Sequence, residues 1–199
     1  MSYSISKRKG PMSITEDNAI DTGRFLNRVE YRCTDADVEF FTIEIIDREG
    51  FTARKSYFKP EIGKGFIKDE EELQKQQQKF SRVMKNLMFV LHGSDFETGQ
   101  VSGFKEFCDI IRENITHSMM KKEMRVKVVL DKDNRPTLPN YPLIFEDANV
   151  SPEDSKLRIL EYDKVNPSVN EEEFDKDSKP STSTIPDLGT EEKKDDLPF

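Results

Sequence analysis

The sequence predicts a mainly β domain of α+β type, with helices between its third and fourth strands and an acidic tract behind it. Three observations carry this. Residues 24–33, 38–46 and 51–58 alternate apolar and polar side chains or concentrate β-branched and aromatic ones, the signature of half-buried strands. Residues 69–92 repeat apolar side chains at steps of three and four, the period of one helix face. After residue 165 that periodicity stops, and Asn, Ser, Thr, Pro, Asp, Glu and Lys dominate.

Residues 1–20 show little periodicity and read as a flexible basic arm, with Lys7, Arg8 and Lys9 as candidate phosphate contacts. The first strand, 24–33, sets Phe25, Val29, Tyr31 and Cys33 against Arg24, Arg28 and Arg32, because period two sends alternate side chains to opposite faces. Asp35, Ala36 and Asp37 form a turn. The second strand, VEFFTIEII, is rich in residues that suit a pleated surface. Asp47, Arg48, Glu49 and Gly50 make a hairpin, with Gly50 where φ is expected to be positive. The third strand, FTARKSYF, then pairs back. With Ile46 opposite Phe51, the rings of Phe40 and Tyr57 share a face with Lys55, while Phe41, Ile43, Ile45 and Phe58 enter the core. A slip of one residue would exchange the two faces.

Residues 59–68, with Pro60, Gly63 and Gly65, form a loop. Asp69 caps a helix with Glu72 as its capping-box partner. Leu73, Gln77, Phe80, Met84, Leu87 and Leu91 form its apolar stripe, and Gly93 ends it. Ser102 caps a second helix that buries Phe104, Phe107, Cys108, Ile111 and Ile115. A fourth strand covers 123–131, turning at Lys132 to Arg135. Prolines confine 136–142 to an edge. A short fifth strand covers 143–146, and 157–162 is a sixth or packs back on the body. Three strands, helices, then two or more strands fit a five-stranded OB-fold-like barrel, with a two-helix insertion at about 69–117 between strands 3 and 4. The expected division is an arm over 1–20, a domain over 21–165 and a disordered acidic tail over 166–199.

Composition bounds the function. The 199 residues are 34% hydrophobic and 35% charged, polar for a fully packed chain. Net charge is −8, but ten acidic and four basic residues sit in 166–199, leaving 29 and 27 in 1–165. A nearly neutral body can still present a basic face. No apolar run approaches the ~20 residues that span a bilayer, and no secretory signal opens the chain. Cys33 and Cys108 lack metal-ligand spacing and read as two buried thiols in a reducing cytoplasm. His92 and His117 lie near helix ends without a nucleophile or metal partner. No P-loop, dinucleotide fingerprint or zinc spacing occurs, so neither catalysis nor a cofactor is expected.

The strands carry chemistry that suits unpaired nucleic acid. A single strand is held by a positive groove along its phosphates and by rings on which bases stack. Phe40 and Tyr57 are the candidate stacking rings. Arg28, Arg32, Lys55 and Lys59, with Arg54, are the candidate phosphate ligands. Lys132, Asn134 and Arg135 in the later turn would extend the groove, while Glu30, Glu39 and Glu44 dilute its charge.

The last residues are Asp195, Asp196, Leu197, Pro198 and Phe199. Pro198 biases Leu197 to an extended conformation. Phe199 then offers a ring and an α-carboxylate together, a two-point plug for a pocket with a cationic or amide lining. This ending resembles the C-terminal tip of the single-stranded DNA-binding proteins of bacteria and their phages. In that family an OB-fold is followed by a disordered acidic tail ending in acidic residues, a small apolar residue, Pro and Phe. The resemblance implies a protein of DNA replication, recombination and repair that coats single-stranded DNA without sequence preference, alone or as a homo-oligomer. It implies that the tip recruits polymerase, primase-helicase or nuclease, in the host cytoplasm if phage-encoded and away from membranes. The alternative is a structural or adaptor protein, such as a phage assembly factor, whose acidic tail binds a basic protein surface.

Overall fold

The computed structural model describes residues 8–99 and 101–166; the acidic tract and the tip residues lie outside them. In chain order the described residues form β1 (Gly10–Pro11), β2 (Ile20–Cys33), β3 (Glu39–Asp47), β4 (Phe51–Phe58), α1 (Glu70–His92), α2 (Phe104–Glu113), α3 (His117–Met120), β5 (Met124–Lys127), β6 (Val129–Leu130), β7 (Pro136–Thr137) and β8 (Phe145–Asp147). Six strands make one sheet, in the order β1-β4-β3-β2-β5-β8, and β6 pairs with β7 in a second. The architecture is thus mostly β with helices on one side. The large sheet is not a closed barrel, and it has six strands where the sequence suggests a five-stranded OB-fold-like barrel.

β3 and β4 follow the patterns above to within a residue, and β2 begins four residues earlier, at Ile20. Asp47 fixes the β3–β4 hairpin, its Oδ1 accepting the N–H groups of Glu49, Gly50 and Phe51 at 2.8–2.9 Å. Gly50 there has φ 98°, which a side chain rarely tolerates. The chain between β5 and β6 breaks at Val128, whose N–H turns to the carbonyl of Ala19. The fourth strand is therefore two short pieces serving two sheets. Pro136 and Thr137, expected at an edge, pair with Leu130 and Val129.

Of the residues expected to be an arm, 8–20 belong to the body, while Lys7 lies outside the described residues. Gly10 and Pro11 run parallel to Phe51 and Thr52, and Met12, Ile14 and Ala19 are buried. An apolar spacing of two over so short a stretch is easily lost among Ser, Gly and Pro.

Helices cover one face of the sheet. α1 buries Phe80, Val83, Met84, Leu87, Met88, Val90 and Leu91, and α2 adds Phe107, Cys108 and Ile111. They share one core with Leu26, Phe41, Ile43, Ile45 and Ala53 of the strands. The ring of Phe80 joins them, 5.2–6.1 Å from the rings of Phe41, Tyr57, Phe104 and Phe107. Asp69 caps α1 by accepting the N–H of Glu72, and Gly93, at φ 77°, closes it. Leu73 is only half buried and Gln77 is exposed, so the apolar stripe begins a turn or two later than expected. The N-cap of α2 is Gly103; Ser102 spends its N–H and hydroxyl on Glu106 instead. α3, capped by Thr116, was not expected.

Residues 157–162 form no strand. They lie along the body as an irregular segment, with Leu157 buried and the Lys164 carbonyl accepting the Leu130 N–H. A buried ion pair fastens this segment. Lys127, fully buried, pairs with Asp163, donates to the Arg158 carbonyl and lies 4.7 Å from the Tyr141 ring centre. Tyr141 donates its hydroxyl to Asp163. Of the two cysteines, Cys108 is buried as expected, but Cys33, the last residue of β2, is exposed. No helix among the described residues is long and apolar enough to cross a membrane.

Candidate nucleic-acid interface

The β2–β3–β4 meander has a second face, turned away from α1. A β-bulge decides what it carries. Leu26 pairs with Ile45 and Arg28 with Glu44, so Asn27 is an extra residue in β2. The bulge reverses the alternation. Arg24 therefore falls on the inner side, buried, with its guanidinium on the carbonyls of Ala19, Val126 and Asn18. Burial holds its pKa down to about 10, against the fields of Asp21 and Asp47. The three arginines expected on one face are thus split, and only Arg28 and Arg32 face outward.

The hairpin makes a second correction. Ile46 pairs with Thr52, not Phe51, so Phe40 faces Phe58 and Phe41 faces Tyr57. The outer face is then a grid of three rows: Arg32, Phe40, Phe58; Glu30, Thr42, Ser56; and Arg28, Glu44, Arg54. The rings of Phe40 and Phe58 lie 5.6 Å apart, and Phe58, expected in the core, is 62% exposed. The hydroxyls of Thr42 and Ser56 bond to each other at 2.9 Å.

Two carboxylates hold the guanidinium groups in place. Glu30 takes Arg28 and, at 2.9 Å, Arg32. Glu44, itself buried, takes Arg8 at 2.7 Å and the side-chain amide of Asn27 at 2.5 Å. Arg54 has no ion-pair partner among the described residues. Four arginines against two glutamates leave the grid with net positive charge. Burial lowers the pKa of Arg28, and the neighbouring Arg32 and Arg8 lower it further; Glu44 opposes this, and Arg54 adds to it. The Nε of Arg28 is buried without a hydrogen-bond partner among the described residues. Guanidinium groups crowded like this favour an anion, and their planar donors match phosphate oxygens.

Lys55, Tyr57 and Lys59 are not on this face. They lie on the helix side, along a cleft of about 650 Å³ between β4, the 59–68 loop and α1. The Tyr57 ring packs on Phe80, 5.4 Å between centres, and burial pushes its hydroxyl pKa up. Lys59 pairs with Glu39 at 2.6 Å, and Glu39 also accepts the Tyr31 hydroxyl at 2.7 Å. Lys132, Asn134 and Arg135 are exposed on the β6–β7 turn, organised by Asp131 accepting the N–H groups of Asp133 and Arg135. Of the expected site, the structure brings together Arg28, Arg32, Phe40 and Arg54. Sequence reasoning had Arg8 as a phosphate contact on a loose arm rather than in this grid, and Phe58 in the core. The signal for Phe58 was the hairpin: a type I turn followed by a glycine at positive φ inserts one residue.

No protein-family model matches the chain, and a comparison with curated proteins finds no match.

Proposed function

We propose that this chain is a single-stranded DNA-binding protein of replication, recombination and repair, of the bacterial or phage type, acting in the cytoplasm. The observation that carries the reading is the outer grid, where Arg8, Arg28, Arg32 and Arg54 share one sheet face with the paired rings of Phe40 and Phe58. Phosphates would meet the guanidinium groups while bases stack on the rings, a mode that reads no sequence. An OB-like architecture is part of the proposal. It is supported by β7 approaching β4, with the Thr137 hydroxyl on the Arg54 carbonyl at 2.9 Å, which bends the β5–β6 arm back towards the meander. The tip residues Asp195, Asp196, Leu197, Pro198 and Phe199 are proposed to recruit replication proteins, on the strength of their sequence alone.

The test is fluorescence anisotropy with oligo(dT) against duplex of equal length, at two salt concentrations. The expected result is single-strand binding that weakens with salt, and weakens further when Arg28 and Arg54 are replaced by alanine. Equal or absent binding to both forms would overturn the proposal and favour the adaptor reading. Removing residues 191–199 should leave DNA binding equal or tighter and abolish capture of a replication partner.

A further inference from the structure

The cleft on the helix side of β4 is not used by the outer grid, yet it has the ingredients of a nucleotide site. Lys55, Tyr57, Phe58, Phe66, Lys79 and Asn140 are among its lining residues. Its volume falls within the ~300–1,000 Å³ usual for small-ligand pockets. Two of its lysines are committed: Lys59 to Glu39, and Lys64 to Glu61 at 2.6 Å. Lys55 and Lys79 have no ion-pair partner among the described residues. Burial holds the Lys55 pKa down, with Asp131 opposing. The Tyr57 hydroxyl is buried with no hydrogen-bond partner among the described residues, a cost that an incoming polar group would remove. Phe66 is 67% exposed, an unusual exposure for a ring.

The cleft is continuous with the grid. Phe58 belongs to both, standing in the outer row with Phe40 and lining the cleft. On the side of β4 away from β3, β1 covers only Phe51 and Thr52, and Thr137 reaches Arg54. Among the described residues no strand pairs with β4 beyond that point, and Asn140 lines the cleft beside Lys55.

We infer that this cleft is a second nucleotide-binding stretch, which takes the nucleotides that leave the outer grid past Phe58, with Lys55 and Lys79 meeting phosphate and Phe66 and Phe58 meeting bases. The occupant is the continuation of the bound strand, because the free charges are cationic, the exposed surface is aromatic and the path begins at the grid. The inference rests on the function proposed above and extends it to strand length.

Oligo(dT) of about 6 and about 20 nucleotides, lengths bracketing the site sizes of such domains, separates the two ideas. Lys79→Glu combined with Phe66→Ala alters two exposed side chains, and circular dichroism checks the fold. The expected result is about tenfold weaker binding of the long oligonucleotide with the short one unchanged, whereas Arg28→Glu with Arg54→Glu weakens both. A folded Lys79→Glu/Phe66→Ala variant that binds both lengths like wild type would overturn the inference and leave the proposed function standing. Wild type that binds neither length would overturn the proposed function, and this inference with it. On wild type, photocrosslinking of 4-thiothymidine-substituted long oligonucleotide should mark Tyr57 or Phe66; crosslinks confined to Phe40, Phe58 and the other grid residues would overturn the inference.

Discussion

The two faces of the β2–β3–β4 meander are made by the same alternation, and neighbouring residues meet opposite fates on them. Phe41 lies among Ile43, Ile45 and Phe80, fully buried, in the row Tyr31, Phe41, Tyr57. Phe40, one position earlier, lies half-buried between Arg32 and Phe58. Chemistry alone does not separate these two rings; the parity of the strand does. The helix-covered face supplies stability, and the open face holds charge and rings in a geometry that the covered face pins from beneath. Residues of the two faces should therefore fail in different assays.

The largest effect expected is on the covered face. Phe41→Ala removes a fully buried ring and should cost about 3–5 kcal/mol of stability, read from urea unfolding. Phe40→Ala should cost much less stability and instead weaken DNA binding. If the two substitutions destabilise equally, the division of labour between the faces is wrong.

Phe58→Ala sharpens the comparison from the other side. This exposed ring should contribute ~1–3 kcal/mol to binding of a stacked base while leaving the unfolding midpoint close to wild type. Titration of short oligo(dT) measures it. Tyr57→Ala, the adjacent residue on the covered face, should instead lower the unfolding midpoint because its ring packs on Phe80.

Much of this arrangement was legible in the sequence. The meander, the Asp69 cap, the Gly93 stop and the core assignment of Phe41, Ile43 and Ile45 follow from local rules: periodicity, capping geometry and turn chemistry. The site was legible only in part, because it depends on two single-residue insertions. One, at Gly50, had a local signal, the Asp-x-x-Gly hairpin. Reading a loop of four residues, 47–50, where the chain makes one of three, 48–50, moved Tyr57 outward and Phe58 inward, and carried Lys55 to the wrong side. The other, at Asn27, had almost none. An asparagine in a strand is stabilised there by a buried glutamate from the next strand, a partner that sequence alone does not name. Arg8 was missed as a fixed member of the grid because it reaches Glu44 across a long stretch of chain.

A smaller effect tests the charges of the open face. Each phosphate contact on a single strand contributes about 0.7 to the slope of log affinity against log salt. Arg54→Ala, which removes a guanidinium without an ion-pair partner among the described residues, should lower that slope by about this amount. Arg48 is also exposed but tied to Glu123 at the hairpin end, 2.7 Å away, and its removal should leave the slope unchanged. A slope that falls equally for both would mean that overall charge, not this face, holds the DNA.

The smallest effect expected lies at the rim of the covered face, where Glu39 joins Lys59 and Tyr31. The hydrogen bond from Lys59 and then that from Tyr31 hold the Glu39 carboxyl below its usual range, with burial opposing them. A carboxyl whose pKa is lower folded than unfolded adds stability above its unfolded value, about 4.3, and loses it as pH falls through the folded value. Lys59 is the reverse case. Its pKa is raised chiefly by Glu39, so its share persists through neutral pH and is lost only as pH rises past the ordinary lysine value. Because this pair is partly exposed, solvent screening limits it to ~0.2–1 kcal/mol. Glu39→Gln should therefore lower stability by that amount at neutral pH and make the decline between about pH 6 and about pH 3 shallower, as urea midpoints would show. DNA binding to the grid should not change, since Glu39 and Lys59 project from the opposite face. A parallel loss of binding would mean that the two faces are coupled through β3 and β4 rather than independent.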